Sequence, residues 1–321
     1  MDEFWDIQLN SNETRETGWL APIEREQFTC RSDNDMDSNY SYEWQMLPLP
    51  YLDMTLDLRT IKSRVALLES HVGEELWDAA KIFCAHLCYT YKNDALDEST
   101  ENKSFLHVNA RNLKGKKVLE LGSGVAPLGM CAVALGAKQV TCTDYDANVL
   151  ENLEFNLMHN RERLMVATND DKDFEGVLHH SKLDWQWFAN DDVQSAEWLD
   201  SRNFNSSGLN TNANEIDETP MVALEPDIMI GSALVYSVEG ALYLADTLKH
   251  FLVDGETSEC WILQMPSRPG FDRFLLRLEK WGLIYEIYEI DEQVWGLARR
   301  HMKNIASSIE DFRIYVIRKE S

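Results

Sequence analysis

Residues 118–129 read VLELGSGVAPLG, and this stretch decides the fold. A short apolar run ends at Gly122 and Gly124, and apolar residues at helical spacing follow to about residue 135. Glycine directly after a strand lets the backbone turn sharply, and the next helix presents its N-terminal amides to a ligand. The segment therefore predicts a strand, a tight turn and a helix, with a ligand site at the turn.

The rest of the chain repeats this alternation of strand and helix. After the first strand, further strands are predicted at 139–143, 177–183, 227–230, 261–264, 284–290 and 312–317. Helices are predicted from about residue 76 and at 147–158, 242–252 and 271–281. Strands alternating with helices indicate βαβ units, whose right-handed crossovers place helices on both faces of a sheet. The sequence predicts an α/β fold with a mostly parallel sheet and a C-terminal antiparallel hairpin.

Composition divides the chain into an arm and one domain. Residues 1–50 are acidic and poor in aliphatic residues, so we predict an N-terminal arm that is partly disordered. Residues 51–321 form the predicted domain, and residues 51–65 alternate as strands or a hairpin do. A polar stretch at about 189–224 is predicted to be a surface insertion.

Charge and cysteine usage limit the classes of partner and compartment. The 55 acidic and 30 basic residues give a formal net charge of −25, which repels phosphate backbones, so no nucleic-acid partner is expected. No apolar run approaches the length of a membrane span, and the acidic N-terminus does not resemble a signal peptide. The cysteines lack metal-binding spacing, so no metal site is expected. We predict a cytoplasmic or nuclear protein, and the oligomeric state stays open.

Three acids stand at the predicted carboxyl ends of successive strands. Glu120 precedes Gly122 by two residues, and a carboxylate there repels a pyrophosphate but suits a positively charged ligand group. Asp144, at the end of the second strand, is placed to receive ribose hydroxyls, although it also suits a helix N-cap. Asp184 is placed to accept from an adenine amino group, with Trp185 covering the ring. The ligand that fits is S-adenosyl-L-methionine.

The chain resembles a known enzyme family in these same segments. The sequences ELGSGVAPLG, VTCTDYDANVLENLEFN, LDW and LVY, with GEELWDAA upstream, are similar to class I seven-β-strand methyltransferases, and more narrowly to methyltransferase family 16, the protein-lysine methyltransferase-like branch. The resemblance implies a Rossmann-like seven-stranded sheet. It implies a protein substrate as the partner, and the acidic net charge is compatible with a basic one. It also implies that Glu120, Gly122 and Gly124 contact the methionine half of the cofactor, while Trp77 lines the cofactor from the N-terminal helix.

One position departs from the family pattern. The branch ends its fourth strand with Asp-x-x-Tyr beside the methyl group, whereas this chain has Ala233 in place of the acid and keeps Tyr236. Ala233 is expected to contact the cofactor, and Tyr236 is the candidate catalytic residue. Glu239 is a second candidate that can replace the missing acid, although it also suits a solvated first turn of a helix. Asn152 and Asn156 match the family's asparagine-bearing helix, with a solvated helix surface as the alternative.

Three functions therefore stay open. The first is methyl transfer from S-adenosylmethionine to a protein side chain, with lysine the leading acceptor. The second is N- or O-methylation of a small molecule, because the glycine turn and the acids concern only the cofactor. The third is a non-catalytic interaction protein that keeps the fold, which the replacement of the acid by Ala233 suggests.

Overall fold

The computed structural model describes residues 40–63, 72–93, 108–168, 177–189, 225–252, 258–303 and 307–320. Residues 1–39 of the predicted arm, and residues 190–224 of the predicted insertion, lie outside the described residues. Residues 40–49 of the segment expected to be an arm form a strand. The predicted boundary at residue 50 thus falls at the turn of a hairpin.

A two-stranded hairpin precedes a seven-stranded sheet. The hairpin strands are β1 (Tyr40–Leu49) and β2 (Met54–Ser63), which pair antiparallel. The strands of the large sheet are β3 (Lys117–Glu120), β4 (Gln139–Asp144), β5 (Leu178–Lys182), β6 (Ile228–Ser232), β7 (Glu259–Gln264), β8 (Leu283–Tyr288) and β9 (Arg313–Lys319). Their order is β5-β4-β3-β6-β7-β9-β8. The first five in this order are parallel, and β9 runs antiparallel between β7 and β8, so the predicted fold is confirmed.

Helices cover both faces of the large sheet. They are α1 (Asp78–Asn93), α2 (Pro127–Ala134), α3 (Ala147–Thr168), α4 (Val238–Phe251), α5 (Phe271–Lys280) and α6 (Glu292–Arg299). One apolar core holds the buried side chains of α1, α2, α3 and α6, and a second holds those of α4 and α5. The central strands read as continuous apolar runs because both of their faces are buried.

The hairpin is fastened to α3 by three asparagine side chains. Asn160 accepts from the Asp57 backbone N–H at 2.9 Å and donates to its carbonyl at 2.9 Å. Asn156 does the same with Arg59, at 2.8 and 3.0 Å, and Asn152 also donates to the Arg59 carbonyl. Four residues of helix rise about 6 Å and two residues of strand about 6.6 Å, so both repeats stay in register. These asparagines are buried partners of a strand edge, not a solvated helix surface.

Two negative findings concern the described part of the chain. Within it, none of the helices is both long and apolar enough to cross a membrane. Over the same residues, no group of three or more histidine, cysteine, aspartate or glutamate side chains is arranged to hold a metal ion. The compartment stays a prediction.

Candidate active site

The predicted site residues lie where parallel strands end. In an open α/β sheet, ligands bind outside the carboxyl ends of the strands, at the point where the strand order reverses. Here that point lies beside β3, which has β4 on one side and β6 on the other. Glu120 ends β3 and Asp144 ends β4, while Asp184 follows β5 and Ala233 follows β6. The fold thus collects residues that are more than a hundred positions apart.

The glycine turn after β3 has the strained backbone that the sequence predicts. Gly122 and Gly124 both have φ +54°, a conformation that side chains other than glycine rarely adopt. A Cβ atom at Gly124 would lie 3.0 Å from the carbonyl oxygen of Gly73, so this chain segment crosses directly over the turn. Gly73 lies in the short 3-10 helix Val72–Glu74, which precedes α1. The close backbone approach explains the need for glycine at position 124.

Glu120 lies beneath the start of α2. Its side chain is 2% exposed, and Oε2 accepts a hydrogen bond from the Gly129 N–H at 3.0 Å. Burial raises the pKa of Glu120 to about 7, partly opposed by hydrogen bonds to its carboxylate. A helix N-terminus occupied in this way cannot offer the same amides to a phosphate group. The contact between Glu120 and the methionine half of the cofactor stays a prediction, and the structure places this carboxylate beneath the turn.

Asp144 joins the glycine turn to the end of β4. Its Oδ2 accepts from the Gly124 N–H at 3.1 Å, and its Oδ1 accepts from the N–H groups of Tyr145 and Asp146 at 2.8 and 3.4 Å. Burial raises the pKa of this carboxyl group. A carboxylate has about four acceptor positions, so roughly one remains for a ligand hydroxyl. Asp144 therefore fixes the turn and still has capacity for a ribose.

Asp184 and Trp185 form the adenine side of the predicted site. Asp184 is the N-cap of the short 3-10 helix Trp185–Phe188, because its Oδ1 accepts from the Gln186 N–H at 3.0 Å. This cap is a structural role that the sequence did not indicate. Two ring atoms of Trp185 lie 3.5 and 3.6 Å from the position of a Cβ atom on Gly122. The Trp185 ring thus lies beside the glycine turn. This is the position that a ring must have if it is to cover an adenine bound there.

The acceptor side is a turn between β6 and α4. Ala233 has φ +53°, and its N–H donates to the Leu263 carbonyl at 2.9 Å. Tyr236 is 41% exposed, and burial raises its pKa to about 12, with smaller contributions from Tyr145 and Asp144. Tyr236 therefore keeps its proton at neutral pH.

Glu239 does not lie deep in this turn. It is exposed in the first turn of α4, whose N-cap is Ser237. A carboxylate there stabilises the helix through its dipole. Its catalytic role stays a prediction, and this position agrees with the solvated alternative.

Trp77, which belongs to the predicted set, contacts a basic side chain that follows β7. Trp77, 38% exposed just before α1, lies under the Arg268 guanidinium, whose carbon is 5.9 Å from the ring centroid. Arg268 belongs to residues 264–269, which follow a strand at its carboxyl end and are therefore a candidate for substrate contact from the sequence. Tyr145, 53% exposed, was missed, although its place directly after Asp144 was a usable signal. Gln264 is the first residue of that same segment, and the sequence assigns it no specific chemistry.

These residues fit S-adenosylmethionine better than a dinucleotide. Glu120 occupies the amides at the start of α2, where a pyrophosphate would bind. Asp144 and Asp184 add carboxylates at the neighbouring strand ends, and these suit hydroxyl and amino donors. The cofactor carries a sulfonium and an ammonium group, which a site rich in carboxylates favours over a phosphate.

Known proteins agree with this assignment. The family model for methyltransferase family 16, described as lysine methyltransferase, matches residues 59–201. Protein N-terminal and lysine N-methyltransferase EFM7 of Yarrowia lipolytica is 36% identical over 86 residues, which are 26% of this chain and 25% of that protein. An uncharacterised protein of Dictyostelium discoideum is 29% identical over 169 residues, 49% of this chain and 40% of that one. The chain thus matches well under half the length of these relatives.

A solved structure gives a distant likeness. The TehB-like SAM-dependent methyltransferase of Corynebacterium glutamicum is 16% identical, with a TM-score of 0.38 over 77% of this chain and 90% of that one. The matched residues 59–201 include the glycine turn, the acids that end β3 and β4, and Asp184 after β5. The cofactor of this domain is S-adenosyl-L-methionine. Residues 59–201 match the lysine methyltransferase family model, and this match supports a class I S-adenosylmethionine-dependent methyltransferase domain in this chain.

Proposed function

We propose that this protein transfers a methyl group from S-adenosylmethionine to a protein side chain, with the lysine amine as the acceptor. The observation that carries the proposal is the match of residues 59–201 to the lysine methyltransferase family, over a site whose acids suit this cofactor. The relative from Yarrowia lipolytica is named for methylation of protein N-termini and lysines, and this supports an amine on a protein.

The residues of this chain divide into two groups in the proposed reaction. Asp144 holds the ribose, while Asp184 and Trp185 hold the adenine. Glu120 acts through its negative field from beneath the turn, because its carboxylate is bonded to α2. The cofactor supplies a methyl carbon that is already activated by the sulfonium. What the protein adds is alignment and a suitable field.

The acceptor amine must reach the site without its extra proton. Tyr236 cannot remove that proton at neutral pH, since burial raises the pKa of its own phenol to about 12. The phenol oxygen instead accepts a hydrogen bond from an N–H of the amine. This contact orients the amine so that the lone pair of its nitrogen points at the methyl carbon. Ala233 brings no carboxylate, so the proton leaves to solvent through the open side of the turn, near the exposed Glu239.

The test uses purified protein, methyl-tritiated S-adenosylmethionine and an extract of the source organism. Asp184→Asn is the matched control, because asparagine keeps the N-cap of the 3-10 helix while the charge is lost. Protein and small-molecule fractions are resolved, and labelled protein is hydrolysed to identify the methylated residue. We expect label in a discrete protein band as methyl-lysine, strongly reduced with Asp184→Asn.

Other outcomes would support the competing functions. Label confined to the small-molecule fraction would favour a metabolite methyltransferase, which the family match does not distinguish. Cofactor binding in calorimetry with no label above the Asp184→Asn control would favour a protein that keeps the fold without catalysis. Either result would overturn the proposal of a protein substrate.

A further inference from the structure

A buried glutamine holds the turn that carries Tyr236. Gln264 is the last residue of β7 and is fully buried. Its Oε1 accepts from the Val235 N–H at 3.1 Å, and its Nε2 donates to the Val235 carbonyl at 2.9 Å. Nε2 also donates to the Met265 carbonyl at 3.3 Å. One side chain thus satisfies both backbone groups of a residue in the neighbouring turn, as a strand partner would.

The two residues that flank Val235 in the chain are both part of the candidate site. Leu234, which is buried, packs toward the glycine turn, and its Cδ2 lies 3.0 Å from the position of a Cβ atom on Gly122. Tyr236 follows Val235 directly in the chain and is 41% exposed. Fixing the backbone of Val235 therefore fixes both the packing under the cofactor turn and the direction of the phenol.

The turn between β6 and α4 needs support from residues outside it, because its backbone is strained at Ala233. Ala233 is held at φ +53°, and strain of this kind in a residue other than glycine persists only where the surroundings enforce it. The surroundings here are the end of β7, because Leu263 accepts from the Ala233 N–H and Gln264 binds Val235. Ala233 brings no polar side chain that could brace the turn from within.

We infer that Gln264 is a positioning residue that sets the orientation of Tyr236 for methyl transfer. The inference rests on the proposed function, since it concerns the same reaction. Gln264 touches neither the glycine turn nor the acids among the contacts above, so it acts through Val235. Loss of the two hydrogen bonds between Gln264 and Val235 should therefore lower kcat and leave the affinity for the cofactor unchanged.

The test replaces Gln264 by methionine, which keeps the volume and removes both hydrogen bonds. Asn160→Leu is the matched control, because Asn160 is also fully buried and binds both backbone groups of one residue, Asp57. Asn160 lies 13 residues into α3, about 20 Å from its start by helix rise. Rates are normalised to the fraction of protein that binds S-adenosylhomocysteine in calorimetry.

We expect Gln264→Met to lower kcat about tenfold or more through misplacement of the phenol, with the cofactor Kd within about twofold of wild type. Asn160→Leu should leave both constants unchanged after the same normalisation. Equal losses in the two variants would show that Gln264 contributes stability alone and would overturn the inference. If Gln264→Met does not fold, Gln264→Asn serves, because its shorter amide cannot reach both backbone groups of Val235, and the same loss of kcat is expected.

A second readout does not depend on transfer at all. A fluorotyrosine introduced at position 236 reports the environment of that ring by fluorine NMR. We expect Gln264→Met to shift or split its resonance, and Asn160→Leu to leave it unchanged. An unchanged resonance in Gln264→Met overturns the inference even if the wild type is active, and a shifted one supports it even if no acceptor is methylated.

Discussion

Glu120 shows how one residue can serve the fold and the site together. Its carboxylate is buried against α2, and this burial raises its pKa to about 7. The group accepts the Gly129 N–H, so the helix start is satisfied without a ligand. The negative charge nevertheless lies directly under the glycine turn. The physical consequence is a coupling between protonation, stability and cofactor binding in the neutral range.

The free energy of unfolding should depend on pH because of the Glu120 carboxyl group. Its pKa is higher in the folded state than the ordinary value of 4.5, so the folded state binds the proton more tightly. The contribution to stability is therefore fully present below about pH 4.5 and is lost as pH rises toward 7. Relative to Glu120→Gln, wild type should lose on the order of 3 kcal/mol over this range. Urea unfolding at several pH values measures it, and parallel curves for both proteins would contradict it.

Gly124 should tolerate alanine less well than Gly115 does. Both have positive φ, but a Cβ atom at Gly115 meets nothing within 4 Å, whereas one at Gly124 meets the Gly73 carbonyl at 3.0 Å. Gly115→Ala should cost about 1 kcal/mol of unfolding free energy from backbone strain alone. Gly124→Ala should cost about 1–3 kcal/mol and also weaken cofactor binding, because the turn must move. Thermal unfolding and calorimetry with S-adenosylhomocysteine measure both effects; equal behaviour of the two variants would contradict the role of the close approach.

The asparagine contacts between α3 and β2 matter at the scale of elements. Asn156 and Asn160 are four residues apart on α3, and they bind the backbone groups of Arg59 and Asp57, which are two residues apart on β2. The helix therefore takes the place of a neighbouring strand along this edge of β2. The Arg59 guanidinium adds to this joint by lying over the rings of Tyr42 and Phe155, 4.2 and 3.6 Å from their centroids. Such an edge, once covered, no longer offers unpaired groups to another chain.

Asn156→Leu should loosen the hairpin from α3. The substitution leaves the Arg59 N–H without its side-chain acceptor, and an unsatisfied buried group costs about 1–3 kcal/mol. Hydrogen exchange of the Arg59 amide should accelerate, while amides in β4 and β7 should keep their protection. Unchanged exchange at Arg59 would show that the hairpin is held by its apolar packing alone.

The charge of the whole molecule bears on its partners. A formal net charge of −25 creates a field that attracts basic proteins and repels acidic ones. The cofactor site lies in a turn where buried hydrogen bonds dominate, and these are screened less by salt than exposed charges are. Substrate encounter and cofactor binding should therefore respond differently to ionic strength.

Raising the salt concentration should lower kcat/KM for a basic protein substrate and leave the cofactor Kd nearly unchanged. Screening of the long-range field is responsible, since the Debye length falls from about 10 Å at 0.1 M to about 3 Å at 1 M. Steady-state kinetics on the labelled protein, with calorimetry alongside, measures both constants. A salt-independent kcat/KM would indicate that the net charge has no part in substrate choice.

Much of the fold and part of the site were predictable from the sequence. Apolar runs and glycines located the strands of the sheet, because both are local signals of a buried strand and a tight turn. Asp144 and Asp184 were predicted because they stand at or just after the ends of such strands, and their roles in binding stay predictions. The contacts of Gln264 and Gly73 were not predictable, since they are made to the Val235 and Gly124 backbones, which lie far away in the chain. The hairpin began earlier than predicted because the apolar residues of β1 are few and interrupted by polar ones.

The sequence by itself determined the class of fold, the family and the cofactor. These depend on local patterns: periodicity, a glycine turn, and acids at fixed distances from it. Only the tertiary structure decided where the carboxylate of Glu120 lies, which partners bury the asparagines of α3, and what supports the turn of Tyr236. The physical reason is that these contacts join backbone groups to side chains from different elements, and hydrogen-bond geometry between such groups is set only when the elements pack.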